Sequence, residues 1–100
     1  MKIYGYTIVD TMCFNDGKES LTKVFKTPEE RDNEAYAEYV KELEYCLDEE
    51  EVEYCPYGDC KTDSWEIPDK REFLADLEVG TPHIQRHDTH FQIESWEQEL

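Results

Sequence analysis

Polar and apolar residues alternate near both ends of this chain, and in the middle the apolar ones recur at three- and four-residue spacing. Ile3-Tyr4-Gly5-Tyr6-Thr7-Ile8-Val9 and Leu21-Thr22-Lys23-Val24-Phe25 are β-branched and aromatic runs with Asn15-Asp16-Gly17-Lys18 between them, the pattern of a β-hairpin. Tyr36, Val40, Leu43 and Leu47, joined by Tyr39 and Cys46, form one stripe, which predicts an amphipathic helix ending near Leu47. Its start is marked by Thr27-Pro28-Glu29-Glu30: Thr caps, Pro takes the first helical position, and a Glu at the third can reach back to the cap amide.

In the second half, Val52-Glu53-Tyr54 and Ser64-Trp65-Glu66-Ile67 read as short strands around the turn Cys55-Pro56-Tyr57-Gly58-Asp59-Cys60, where Pro, Gly and Asp supply turn geometry. Asp69 with Glu72 caps a short helix that buries Phe73, Leu74 and Leu77 and stops before Gly80,. Thr81 to Asp88 reads as loop. Phe91 and Ile93 alternate with Gln92 and Glu94, which makes His90 to Trp96 a final strand. The order is ββαββαβ: one α+β domain over residues 1–100, a mostly antiparallel sheet with two helices packed on one face.

Composition supports a folded domain, since 38% of the 100 residues are hydrophobic and 13% aromatic, enough apolar side chain for a core. No run of about 18 apolar residues is present, so no membrane helix is expected. The N-terminus reaches polar residues too soon for a signal-peptide core. The expectation is a cytoplasmic protein whose four cysteines, Cys13, Cys46, Cys55 and Cys60, are reduced thiols.

Charge changes the picture most. Asp and Glu number 26 against 10 Lys and Arg, a net −16, which argues against direct binding to nucleic acid or an anionic membrane and favours a basic partner. Residues 29 to 53 alone hold 12 acidic and 2 basic side chains. Glu30, Glu34, Glu38 and Glu42 recur every four residues, about 6 Å apart along a helix. Asp48, Glu49, Glu50, Glu51 and Glu53 prolong the negative field past the helix end, where the macrodipole already disfavours acids. Stability alone would not select that arrangement, because like charges at four-residue spacing repel. Its alternative reading is a solvated face that keeps a small protein in solution. A row of fixed negative charges imitates what a nucleic-acid-binding cleft reads non-specifically. Tyr45, Tyr54, Tyr57, Trp65 and Trp96 are candidate interface anchors near it, or residues of a small core.

The Cys, His and carboxylate residues raise two other chemistries. Cys55 and Cys60 with His83 and His87 could supply four tetrahedral zinc ligands, with His90 in the same region. The four residues between the cysteines and the long gap to His83 stretch the usual spacing. Without metal, the cysteines are small residues flanking a turn and the histidines surface groups. Catalysis by a Cys–His or carboxylate pair is not expected, because no phosphate loop, nucleophile elbow or HExxH motif organises such groups.

The arrangement MKIYGYTIVD, a short polar turn, then Lys23-Val24-Phe25-Lys26-Thr27-Pro28-Glu29-Glu30 leading into a Tyr-rich amphipathic helix resembles small ββα-type phage and prophage proteins, several anti-CRISPR proteins among them. The likeness covers about the first half of the chain, and Arg31-Asp32 stand where such proteins often carry Ala. It implies an anti-defence role by stoichiometric binding to a nuclease complex in the host cytoplasm. The leading expectation is therefore a DNA-mimic-like inhibitor of a basic nucleic-acid-binding protein such as a CRISPR effector nuclease. Its contacts would be Glu30, Glu34, Glu38, Glu42, Asp48, Glu49, Glu50, Glu51 and Glu53. The alternatives are a zinc-stabilised binding module, and an acidic immunity protein or antitoxin that neutralises a basic toxin. Exposed edge strands in a small sheet also invite pairing with a second copy.

Overall fold

The two β-rich ends of the chain pair with each other. In the computed structural model, which describes residues 1–12, 18–48, 52–55, 57–59, 64–79, 82–86 and 89–100, β1 (Lys2–Met12) lies between β2 (Lys18–Phe25) and the C-terminal strand β7 (Thr89–Glu99). The register sets Tyr6 opposite Lys23 on one side and Ser95 on the other, and Ile8 opposite Leu21 and Ile93. Beyond β7 the sheet continues through β6 (His83–Arg86), β3 (Val52–Cys55), β4 (Gly58–Asp59) and β5 (Ser64–Trp65), all antiparallel. Helices α1 (Pro28–Asp48) and α2 (Lys70–Val79) complete an α+β fold.

Both helix starts follow from their caps. Thr27 Oγ1 accepts the Glu30 amide at 3.2 Å, and Asp69 Oδ1 accepts the Glu72 amide at 2.8 Å, each satisfying an orphan donor of the first turn. The helix-facing side of the sheet contributes Tyr6, Ile8, Ile84, Phe91 and Ile93 to the core, and the helices add Ala35, Tyr39, Leu43, Cys46, Phe73 and Leu77. Tyr39 stands at the centre. Its ring lies 5.1 Å from Phe73, 5.8 Å from Tyr57 and 6.2 Å from Phe91, and its hydroxyl donates to the His83 carbonyl at 2.9 Å.

Two short strands exceed the expected ββαββαβ order. β4 lies inside the Cys55–Cys60 turn, and β6 occupies a stretch that reads as loop in the sequence. In β6 only Ile84 is strongly apolar, so alternation is one residue deep. The strand is held instead by ladders on both sides, to β7 and β3.

Gly5 is required by a close approach across the open sheet face. A Cβ there would stand 2.2 Å from Trp96 Cζ2 and 2.7 Å from the Lys23 carbonyl oxygen. The indole that covers Gly5 donates from Nε1 to Thr7 Oγ1 at 3.2 Å. Gly5→Ala is expected to displace Trp96 and cost about 1–3 kcal/mol by overpacking. A lowered urea midpoint together with red-shifted Trp emission is the signature to look for.

Candidate partner-binding surface

Successive residues of a helix turn by about 100°, so a four-residue spacing drifts by about 40° per step. The row Glu30, Glu34, Glu38, Glu42 therefore winds around α1 rather than running along one side. Glu30 and Glu34 are exposed, whereas Glu38 and Glu42 are half-buried where the helix meets the sheet. Lys23 Nζ of β2 donates to Glu38 Oε1 at 3.3 Å, and the Cys46 thiol lies 3.9 Å from Glu42 Oε1. The outward side of α1 instead presents Glu30, Glu34, Glu44 and Asp48, with Lys41 among them and Tyr45 56% exposed. Glu44 escapes a strict every-fourth-residue reading because the drift brings a three-residue step onto the solvent side.

Glu49, Glu50 and Glu51 lie outside the described residues, and Glu53 is described by its backbone in β3 alone. The first turn of α1 places Glu29 and Glu30 at the positive end of the helix dipole, a favourable position, while Asp48 sits at the negative end.

The two sides of the molecule differ in charge. On α2 the exposed Glu72 and Glu78 are balanced by the exposed Lys70 and Arg71, so the acidic excess of the helix layer is that of α1. The opposite side of the sheet, set by the register of β1, β2, β6 and β7, carries Thr7, Val9, Thr22, Val24, Gln92 and Trp96, with Glu94 as its one carboxylate among the described side chains. A contact between the Thr7 and Thr22 hydroxyls at 3.1 Å and the Trp96 bond to Thr7 confirm that these residues share that side. The acids are thus sorted onto the helix layer.

That layer's field is felt at its junction with β2. The hydrogen bond to Glu38 holds the Lys23 ammonium above its ordinary pKa, with Tyr6, the Glu38 charge and Glu34 adding to the effect. Burial pushes the Tyr6 hydroxyl up, Lys23 opposes this, and Glu38 and Glu34 add to the rise.

The proposed zinc ligands are placed as follows. His83 is in β6 and Cys55 in the neighbouring strand β3, while Cys60 and His87 lie outside the described residues. Among the described residues no group of three or more His, Cys, Asp and Glu is arranged to hold a metal ion. His83 stacks on His90, the ring centroids 5.4 Å apart, and His90 Nδ1 lies 2.9 Å from Gln85 Oε1. Burial and the neighbouring His83 hold the His90 imidazole below its usual pKa, with Asp10 and a bond to Gln92 opposing.

The sign of the resulting pH effect follows from that depression. As pH falls through the unfolded value near 6.5, the unfolded chain takes up a proton that the folded chain resists, and stability is lost until the lower folded value is passed. His90→Gln should therefore lose less stability than wild type between about pH 7.5 and 6. Urea titrations at the two pH values check this; equal losses would refute it.

Of the candidate anchors, Tyr57 belongs to the core, with its hydroxyl donating to Asp76 Oδ2 at 2.6 Å. Trp96 is spent on Gly5 and Thr7, and Tyr54 and Trp65 are described by backbone only. Tyr45 is the one that projects from the acidic layer. No described helix is long and apolar enough to cross a membrane. Compared with protein-family models, curated proteins and solved structures, the chain matches none.

Proposed function

We propose that this protein is a stoichiometric inhibitor that lays its acidic helix layer on the basic, nucleic-acid-binding surface of a larger protein. The observation that carries the reading is the sorting of charge. Glu30, Glu34, Glu44 and Asp48 are exposed along α1, while the far side of the sheet shows one carboxylate among its described side chains. A net −16 kept in solution for its own sake needs no such sorting,. A polyanion imitation does need it, because the partner's cations must meet fixed carboxylates on one surface. Tyr45, 56% exposed within that surface, supplies an aromatic contact of the type that dominates interface energetics. The resemblance of the N-terminal half to anti-CRISPR proteins makes a CRISPR effector nuclease the first partner to test.

Immobilised protein exposed to a bacterial lysate that contains CRISPR effectors should retain one basic nucleoprotein, released by salt and by added duplex DNA. Retention that ignores both would contradict the reading. Salt has opposite expected effects on the complex and on the free protein. Raising NaCl from about 0.05 to 0.5 M screens exposed charges, so the complex weakens while the thermal midpoint of the isolated protein rises. A midpoint that falls with salt would show that the acidic layer is not under internal repulsion.

A further inference from the structure

The sheet ends at β2, which among the described residues pairs only with β1. Its other edge offers the outward-pointing backbone donors and acceptors of every second residue along an eight-residue strand,, a longer edge than that of the two-residue strand β5 at the opposite end of the sheet. Leu21 and Val24 on this strand are 48% and 54% exposed, on opposite faces of the sheet by strand alternation. The helix side of the same edge is overhung by the flank of α1 that carries Glu34 and Glu38, the latter tied to Lys23 at 3.3 Å. A long open edge is ordinarily a hazard that proteins cover or blunt. Here an exposed aliphatic lies on each face, and the Glu38 carboxylate stands beside Lys23 on the helix side of the strand.

We infer that the β2 edge, roofed by Glu34 and Glu38, is a docking site for an extended basic segment of the partner, which adds to the sheet as one more strand. Strand addition supplies affinity through main-chain hydrogen bonds and selectivity through alternate side chains. A strand laid about 4.8 Å beyond β2 sends every second side chain toward the helix flank, where Lys or Arg meets Glu34 and Glu38. The intervening side chains lie beside Val24 on the open sheet face. A second copy of this chain does not fit, because β2 against β2 would bring two Glu34 and Glu38 flanks together. This inference rests on the acidic layer facing a basic partner, and it names the element that the partner contributes.

The test uses the full chain and two capped peptides, Ac-(Val-Lys)4-NH2 and Ac-(Val-Glu)4-NH2, with amide hydrogen exchange read residue by residue. The basic peptide should slow exchange of the β2 amides that point to the open edge by at least about tenfold, and the acidic peptide should leave them unchanged. Glu34→Lys with Glu38→Gln should weaken the basic peptide by at least about tenfold, with the circular dichroism spectrum retained. If that variant does not fold, Glu34→Gln alone is used and a weakening of about threefold is expected. Binding of the basic peptide without slowing at β2 would overturn strand addition and leave the acidic-layer reading standing. Failure of both peptides to bind overturns strand addition, and DNA competition then judges the acidic layer by itself. Slowing at β2 that grows with protein concentration in the absence of peptide would make a second copy the occupant, and overturns the inference too.

Discussion

Replacing Tyr39 by Ala should remove about 3–5 kcal/mol of stability, the range for deleting a large buried aromatic. The side chain is fully buried and meets rings from three places in the fold: Phe73 of α2, Phe91 of β7 and Tyr57 beside β4. The cavity left would separate α1 from both α2 and the sheet. Because domains of this kind hold about 5–15 kcal/mol in total, the variant should be partly unfolded at 37 °C. Tyr39→Phe keeps the ring and loses only the hydroxyl that donates to the His83 carbonyl at 2.9 Å, so about 1–3 kcal/mol is expected. Urea unfolding of the two variants beside wild type separates ring from hydroxyl. Equal losses would mean that the core is not organised around this ring.

The second large effect concerns binding. Glu30→Lys, Glu34→Lys and Glu44→Lys together move the net charge from −16 to −10, each reversal adding two. All three side chains are exposed, and none of them makes a described ion pair within the fold. The triple variant should therefore keep its spectrum, with a thermal midpoint no lower than wild type because the reversals relieve repulsion within the layer. Its affinity for a basic partner should fall at least about 100-fold, since each reversal replaces an attraction with a repulsion at close range. Reversing Glu38 and Glu42 is a poorer experiment. Lys at 38 would face Lys23, and Lys at 42 would sit half-buried beside Cys46, so lost binding and lost folding would be confounded.

What the chain reveals before folding is uneven, and the reason is physical. The hairpin, the capped long helix and the final strand are each written in several residues at one period, so β1, β2, α1 and β7 are legible, with ends displaced by a few residues. β6 is not legible, because Ile84 is its one strongly apolar residue and its stability comes from neighbours distant in sequence. The acidic content of α1 is equally plain, but its direction is not. Whether a Glu faces solvent or sheet depends on a drift that carries Glu42 toward Cys46 while leaving Glu44 outside. The open edge at β2 depends on the whole strand order β2-β1-β7-β6-β3-β4-β5, which pairs the N-terminal strand with the C-terminal one. No local pattern encodes that pairing.

On the proposed reading, the acidic helix layer competes with nucleic acid for one basic surface. The most direct test of that competition is displacement of fluorescently labelled duplex DNA from purified CRISPR effector nucleases, followed by anisotropy as this protein is added at low and at raised salt. Wild type should release DNA from at least one effector at one-to-one stoichiometry, more weakly as salt rises, while the Glu30, Glu34 and Glu44 reversal variant leaves the DNA bound. DNA that stays bound across the effectors, or release by the variant as complete as by wild type, would contradict it.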